Sequence, residues 1–329
     1  TLVTGGFAGR NISDAPPISS NRSALSVVGD SLGACPDGWD TSFTTNGVNG
    51  QVNAIVVDGS GNYYIGGNFT AVQGVPAAGI AKWNGTTWSA LGSGVNGPVY
   101  AIAVSGNEVY IGGDFNSPVT GGMARNVAKW DGSTWTPLGS GLGGGTHIVK
   151  AVAVYNGEAY FGGNFTTSDG SPFSWITKWN GASFQSAGNL VGEVKAFAQA
   201  NGFLYAGGAI GLLGGTQIGI ASFDGTTWSP MGTRANSDIT AIAISGSNLY
   251  VVGGIFLPGV SQGAQFGRFN GTSWTIAGQF GISNMNAVTA IGDDVYIGGS
   301  FTGGYQNIAK WNGTSFVNFG TNGIGLTGG

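Results

Sequence analysis

Residues 52–94 read VNAIVVDGSGNYYIGGNFTAVQGVPAAGIAKWNGTTWSALGSG, and residues 99–141 read VYAIAVSGNEVYIGGDFNSPVTGGMARNVAKWDGSTWTPLGSG. One stretch can be laid over the other, and the likeness continues along the chain. The first glycine of a Gly-Gly pair falls at Gly5, Gly66, Gly112, Gly162, Gly207, Gly253 and Gly298. After a first interval of 61 residues the spacings are 46, 50, 45, 46 and 45. Seven copies at this period, without the 3.6-residue apolar rhythm of a helix, predict an all-β, seven-bladed β-propeller of four-stranded antiparallel blades. The whole chain, 1–329, is then one domain, with blades at about 1–51, 52–98, 99–148, 149–193, 194–238, 239–285 and 286–329.

Within a repeat the punctuation marks four strands. The first mixes β-branched residues with alanine (VNAIVV, VYAIAV, VKAVAV, VKAFAQ, ITAIAI, NAVTAI). Small side chains suit the place where blades converge on an axis. A short polar turn leads to a second strand of the YIGG type. Blade six carries one extra residue between Tyr250 and Gly253, which reads as a β-bulge. The third strand, IAKW or a variant, runs into Asn-Gly or Asp-Gly, read as a tight hairpin with both turn residues at positive φ. TTWSALG or a close variant is the fourth.

This grammar resembles a kelch-type blade: a double glycine after an aromatic strand, then two aromatics about five residues apart. The segment Asp40–Phe43 (DTSF) followed by VNAIVVDGSGNYYIGGNF is more similar still to the delta-60 class of repeats in secreted bacterial surface proteins. The third strand departs from that class, with Lys-Trp where Arg-Leu is common. The resemblance implies a propeller outside or on the surface of a bacterium. It carries no active site across.

Composition narrows the function. Of 329 residues 65 are Gly, and only 8% are charged, yet 41% are hydrophobic and 12% aromatic, so the chain is a folded, turn-rich protein rather than a disordered one. The net charge is −4 with 11 Lys and Arg spread thinly, which argues against nucleic acid as a partner. Membrane insertion is not expected either, because no stretch reaches about 18 consecutive apolar residues. One cysteine, Cys35, and one histidine, His147, leave no disulfide framework and no cysteine- or histidine-rich metal site. Neither a cofactor nor a metal is expected. Thr1 stands where an initiator Met would be, and the chain reads as a processed or trimmed product.

Ten Trp invite a sugar-binding reading, but eight of them recur by position. Trp83, Trp130, Trp179 and Trp311 share one place in the repeat, with Phe223 and Phe269 filling it elsewhere. Trp88, Trp135, Trp228 and Trp274 share another, with Phe184 and Phe316 as substitutes. Aromatics once per blade are expected to fill the wedge between neighbouring sheets. Off the pattern lie Trp39 and Trp175. The connections between second and third strands, at 8–23, 116–126, 166–174, 211–217, 257–263 and 302–306, vary most in length. Variable loops on a rigid scaffold are where binding resides, so Trp175, Phe173 and Tyr305 are the ligand-contact candidates.

Lys82, Lys129, Lys178, Arg268 and Lys310 share a third-strand position at which Ser222 is the exception. They read as stems covering apolar sheet with their charges in water, rather than as a ring for an anionic polymer. The carboxylates show no shared catalytic position, since Asp131 and Asp224 belong to the hairpin turns, and no catalytic residue is assigned. Sequons occur at Asn11, Asn21, Asn68, Asn84, Asn164, Asn270 and Asn312. Those at Asn84, Asn270 and Asn312, on exposed hairpin turns, and at Asn11 and Asn21, on a long loop, are the places for a glycan.

The expected function is a non-enzymatic extracellular or cell-surface structural protein. It would be a rigid disc that self-assembles, to the point of filaments, or packs against other surface proteins. The alternative is a glycan-binding, lectin-like propeller that uses loop aromatics. A polar-rimmed pocket around one or two aromatics would favour the second. Blade one begins at its second strand, Leu2–Phe7, and residues 321–329 are expected to fill the vacant inner place, with a strand from a neighbouring subunit as the other arrangement.

Overall fold

The computed structural model describes residues 47–317 except 120, 144–147, 166, 169–174, 233–236, 257–263, 279–282, 292–293 and 302–307. Six four-stranded antiparallel sheets follow one another, each in chain order from first strand to fourth. Their first strands are Gln51–Val57, Val99–Ser105, Ile148–Tyr155, Leu190–Ala200, Asp238–Ser245 and Ser283–Ile291. Each of the first five packs against the first strand of the next blade. This is the architecture of a β-propeller with repeated blades.

Among the described residues there are six blades, not the seven expected. The six are repeats two to seven, which alone carry the full succession of inner strand, Gly-Gly strand and paired aromatics. The stretch assigned to blade one matches that succession only at Leu2–Phe7, and 1–46 lie outside the described residues. The arrangement expected between Leu2–Phe7 and residues 321–329 lies outside them too, as do Cys35, Trp39, His147, Phe173, Tyr305, Asn11 and Asn21. The first strand of blade two starts at Gln51.

The double glycine exists for packing. A Cβ on Gly66 would stand 2.7 Å from Val99 Cγ1 of the next blade, and one on Gly112 only 2.4 Å from Val149 Cγ1. On Gly67, the second of its pair, it would meet the Gln51 carbonyl at 2.0 Å. The first glycine thus lets the neighbouring blade approach, and the second lets its own inner strand pair. Blade six differs. Val252, not Gly253, pairs with Ala241 and takes the first glycine's place. The extra residue is absorbed further on, where the second and third strands slip in register between Val252 and Ile255. Blade seven answers the larger Val252 by placing Met285 where other blades have Val or Ile, and a flexible thioether fills an irregular gap well.

Every inner strand is bulged at one place. Register shifts fall between Val52/Ala54, Val99/Ala101, Val149/Ala151, Val194/Ala196, Ile239/Ala241 and Met285/Ala287. The bulge re-aims the intervening side chain toward the next blade. Asn53 donates to the Val99 carbonyl at 3.1 Å and Thr240 to the Met285 carbonyl at 2.8 Å. Lys150 pairs with Glu193, and Lys195 with Asp238 at 2.7 Å.

The Asn-Gly turns divide into two kinds. Between first and second strands, Asn156-Gly157 (φ 50° and 79°) and Asn201-Gly202 (φ 52° and 79°) are two-residue hairpins with both residues left-handed. The Asn-Gly after each third strand is something else. Trp83 pairs directly with Trp88, so four residues lie between, and only Gly85 has positive φ. Asn84 Oδ1 instead accepts from the backbone N–H of Thr86 and Thr87, at 2.9 and 2.8 Å. Asp131 and Asp224 do the same, which explains why Asn and Asp interchange here.

The repeat aromatics face one another across the third and fourth strands. Ring centroids are 5.4 Å apart for Trp83–Trp88, 5.4 Å for Trp130–Trp135 and 4.8 Å for Phe223–Trp228. Of the eight repeat Trp, Trp83, Trp135, Trp179, Trp228 and Trp311 are buried, and Trp88, Trp130 and Trp274 half-buried. The indole N–H also ties blades together. Trp135 donates to the Leu91 carbonyl of the preceding blade at 2.6 Å, and Trp228 to that of Ala187 at 2.7 Å. The core-packing expectation holds.

Candidate functional site

The side chains at the start of the second strand and in the middle of the third form a repeated polar pair. Lys129 meets Glu108 at 2.7 Å, Lys178 meets Glu158 at 2.8 Å and Lys310 meets Asp294 at 2.6 Å. Arg268 Nε donates to Asn248 Oδ1 at 2.9 Å. Lys82 lies 5.1 Å from the centre of the Tyr64 ring, and Lys310 lies 5.8 Å from that of Tyr296. Where the shared position is basic, its charge is thus engaged within its own blade by a carboxylate, an amide or a tyrosine ring, rather than left to water as expected.

These pairs perturb their members. Glu108 is held below the ordinary glutamate range mainly by the Lys129 ammonium, with burial opposing and the Tyr110 hydroxyl assisting. Lys310 is raised by its bond to Asp294. Burial raises Tyr110, and Glu108 raises it further; burial and the Glu158 charge push Tyr160 up to about 12.

Blade five breaks the pattern at both members at once. Phe203 stands where the others have Asn62, Glu108, Glu158, Asn248 and Asp294, and Ser222 stands where they have Lys or Arg. Tyr64, Tyr110, Tyr160 and Tyr250 are buried, whereas Tyr205, opposite Ser222, is half-buried. Tyr296 is half-buried too, but it keeps Lys310 over its ring. Phe203 is 40% exposed, and its ring centre lies 6.3 Å from that of Tyr205.

Removal of the long side chains opens a groove of about 850 Å³ between blades five and six. Phe203, Tyr205, Ser222, Pro230 and Met231 form one wall. Phe269, Trp274 and Thr275, with the hairpin residues Thr272 and Ser273, form the other. Trp274 donates its indole N–H to the Met231 carbonyl, so the second wall is fixed to the first. Phe269 and Trp274 have ring centres 5.2 Å apart. Phe203 also edges a second cavity, of about 690 Å³, where the first-to-second-strand turns of blades two to five converge. Asp58, Asn62, Asn107, Asn156 and Asn201 rim it over walls that include Val56, Val104 and Val154.

Phe173 and Tyr305, two of the three expected contact residues, lie outside the described residues, and Trp175 lines neither cavity. Trp175 directly precedes the third strand of blade four and has φ 65°. The equivalent residues are Gly79 (72°), Asn126 (61°) and Gly219 (74°). The backbone bond is the same in three of the four: Gly163 N–H donates to the Trp175 carbonyl as Gly67 does to Gly79 and Gly208 to Gly219. A tryptophan thus occupies a left-handed place that its sister blades give to Gly or Asn. The sequons at Asn84, Asn270 and Asn312 are exposed. No group of three or more His, Cys, Asp or Glu side chains able to hold a metal converges among the described residues.

No protein-family model matches the chain, and no curated protein does. One solved structure that matches is a GH74 xyloglucanase from Xanthomonas campestris, at 14% identity and a TM-score of 0.49. The match covers 83% of this chain and 46% of that one, so this chain spans less than half the length of the matched protein. The likeness is one of fold. The matched structure bears the name of an enzyme, and the expectation that this chain is not one is withdrawn. No catalytic residue is carried over.

Proposed function

We propose that the chain is a glycan-binding propeller of the kelch-like, delta-60 kind, working outside the cell, with the groove between blades five and six as its binding site. The observation that carries this reading is the joint replacement of a conserved-in-repeat polar pair by Phe203 and Ser222. Losing either member alone would leave a charge or a polar group without its partner. Losing both leaves a neutral groove floored by aromatic rings.

A groove of this size lies within the ~300–1,000 Å³ of small-molecule sites. Sugar rings with equatorial hydroxyls present flat C–H faces, which pack on aromatic faces such as those of Phe203 and Tyr205. The hydroxyls of Ser222, Thr272 and Ser273 each offer a donor and acceptor lone pairs to the sugar edge, and that of Thr275, which donates to the Arg268 carbonyl at 3.4 Å, offers its lone pairs. Absence of the repeat's ion pair favours an uncharged ligand. No helix among the described residues is long and apolar enough to cross a membrane, which is compatible with an exported protein.

Affinity electrophoresis through gels containing a neutral β-1,4-linked glucan tests the reading. The native protein is expected to be retarded. Ser222→Lys, which puts a long cationic stem back over Tyr205, should migrate as in a glucan-free gel while unfolding at the same temperature. Equal migration of the native protein with and without glucan would overturn it.

A further inference from the structure

Phe203 lines both cavities, the groove between blades five and six and the mouth formed by the inner turns. On the reading that the groove binds glycan, we infer that the mouth is a second subsite of the same ligand, and that the ligand is therefore a neutral polymer rather than a mono- or disaccharide. Three features of the mouth lead there.

First, its rim is built of amides held in fixed places. Asn156 and Asn201 are first residues of left-handed two-residue turns, and Asn107 sits in a third turn with its Nδ2 on the Asp131 carbonyl at 3.4 Å. Each is exposed. A carboxamide supplies both donors and acceptors, which is what a chain of hydroxyls needs, and it discriminates against neither sign of charge.

Second, the two charges at the mouth are already engaged with the protein, Lys82 over the Tyr64 ring and Asp58 within its own turn. Asp58 Oδ1 accepts from the N–H of Ser60 and of Asn62, both at 2.9 Å, and Oδ2 from Asn62 Nδ2 at 2.7 Å. Burial works to raise its pKa, but these bonds and the Lys82 charge outweigh it and the carboxyl is held below its ordinary value. Asp58 is thus a turn former more than a ligand group. Third, the turns are tied across blades. Tyr155 donates its hydroxyl to the Gly202 carbonyl at 2.5 Å, and Gln199 Nε2 donates to the Val154 carbonyl at 2.7 Å. A subsite held in this way loses little freedom when a ligand settles on it.

Phe203 is the step between the two, and it is what the other blades lack. A sugar unit stacked there would have neighbours on one side in the groove and on the other at the mouth. Two subsites on one chain act through effective concentration, so affinity should climb with ligand length once both are reached.

Calorimetric titration with β-1,4-linked glucose oligomers of increasing length reads this directly. For the native protein the affinity is expected to rise about tenfold or more from the shortest oligomer that binds to the longest. The double variant Asn107→Ala, Asn201→Gly, which keeps glycine in the left-handed turn, should bind the shortest oligomer as the native protein does and lose the rise. Intact thermal unfolding of the variant confirms that it folds. A native affinity that is flat with length, or a rise that survives the double variant, overturns the second subsite and leaves the groove standing. If no oligomer binds, or if Ser222→Lys binds every oligomer as the native protein does, the glycan reading falls and this inference falls with it.

Discussion

Ser222 lies directly opposite Tyr205 across the second and third strands of blade five, in the place that a lysine or arginine holds opposite the equivalent tyrosine of every other described blade. The pair can be restored. Phe203→Glu together with Ser222→Lys recreates the arrangement of Glu108, Tyr110 and Lys129. Partly exposed ion pairs contribute ~0–1 kcal/mol, so the denaturant midpoint should move by no more than that. Solvent perturbation of tyrosine absorbance should show one fewer accessible ring. A double variant that unfolds well below the native protein would mean that Phe203 is part of the core, against its exposure.

Gly112 makes the packing argument quantitative. Gly112→Ala drives a methyl to 2.4 Å from Val149 Cγ1 and 2.8 Å from Val152 Cγ2. Overpacking of this kind costs roughly 1–3 kcal/mol. Gly59→Ala, where a Cβ meets nothing within 4 Å, is the control and should be silent. Urea unfolding of both variants, with Gly112→Ala, Val149→Ala as the double that makes room, decides it. Equal midpoints for Gly112→Ala and Gly59→Ala would refute the close approach as the reason for the glycine.

What the sequence made legible follows from the repetition. A period near 46 residues, inner strands rich in alanine and aromatics once per strand sufficed for four-stranded blades and for buried tryptophans, because these features average over many copies. The inner bulge was hidden because it re-aims residues as different as Asn53, Lys150 and Thr240, which share no chemistry. The four-residue hairpins were misread because Asn-Gly serves two turn types, and only the spacing Trp83–Trp88 tells them apart. The groove left a trace in the exception at Ser222. What was needed was to join it with Phe203, 19 residues earlier, which antiparallel register brings to the same groove.

The blade pairs also set the response to pH. Glu108 is depressed when folded, so its contribution is present above the ordinary glutamate value of 4.5 and is lost as pH falls through the folded value. Glu108→Gln should therefore flatten the acid side of a stability-against-pH curve. It should do so modestly, because the side chain is partly in water. Tyr160 behaves in the opposite sense. Its folded pKa, raised to about 12, makes its contribution complete below the ordinary value of 10.0 and lost as pH climbs through 12. Tyr160→Phe should be less sensitive to alkali in the same window. Thermal unfolding across the full pH range checks both, and coincident curves for native and variant proteins would overturn the assignment.

Trp175 tests whether backbone strain is stored in blade four. At φ 65° any side chain with a Cβ is unfavourable by about 1–2 kcal/mol, and Gly79, Asn126 and Gly219 show that the fold does not require a tryptophan there. Removing the ring loses its half-buried surface in any variant, so a single substitution cannot separate the two effects. Two can. Trp175→Ala and Trp175→Gly lose the same ring, but alanine keeps the left-handed penalty and glycine releases it. At an ordinary position the glycine variant would be the weaker by ~0.4–1 kcal/mol, because its unfolded chain has more freedom. Here the order should reverse, with Trp175→Gly the more stable by about 1 kcal/mol in urea unfolding. Such a reversal would show that a residue is kept in a costly conformation, which motivates measuring oligosaccharide binding to the same two variants. If alanine is as stable as glycine, the position is not strained and Trp175 is retained for its packing alone.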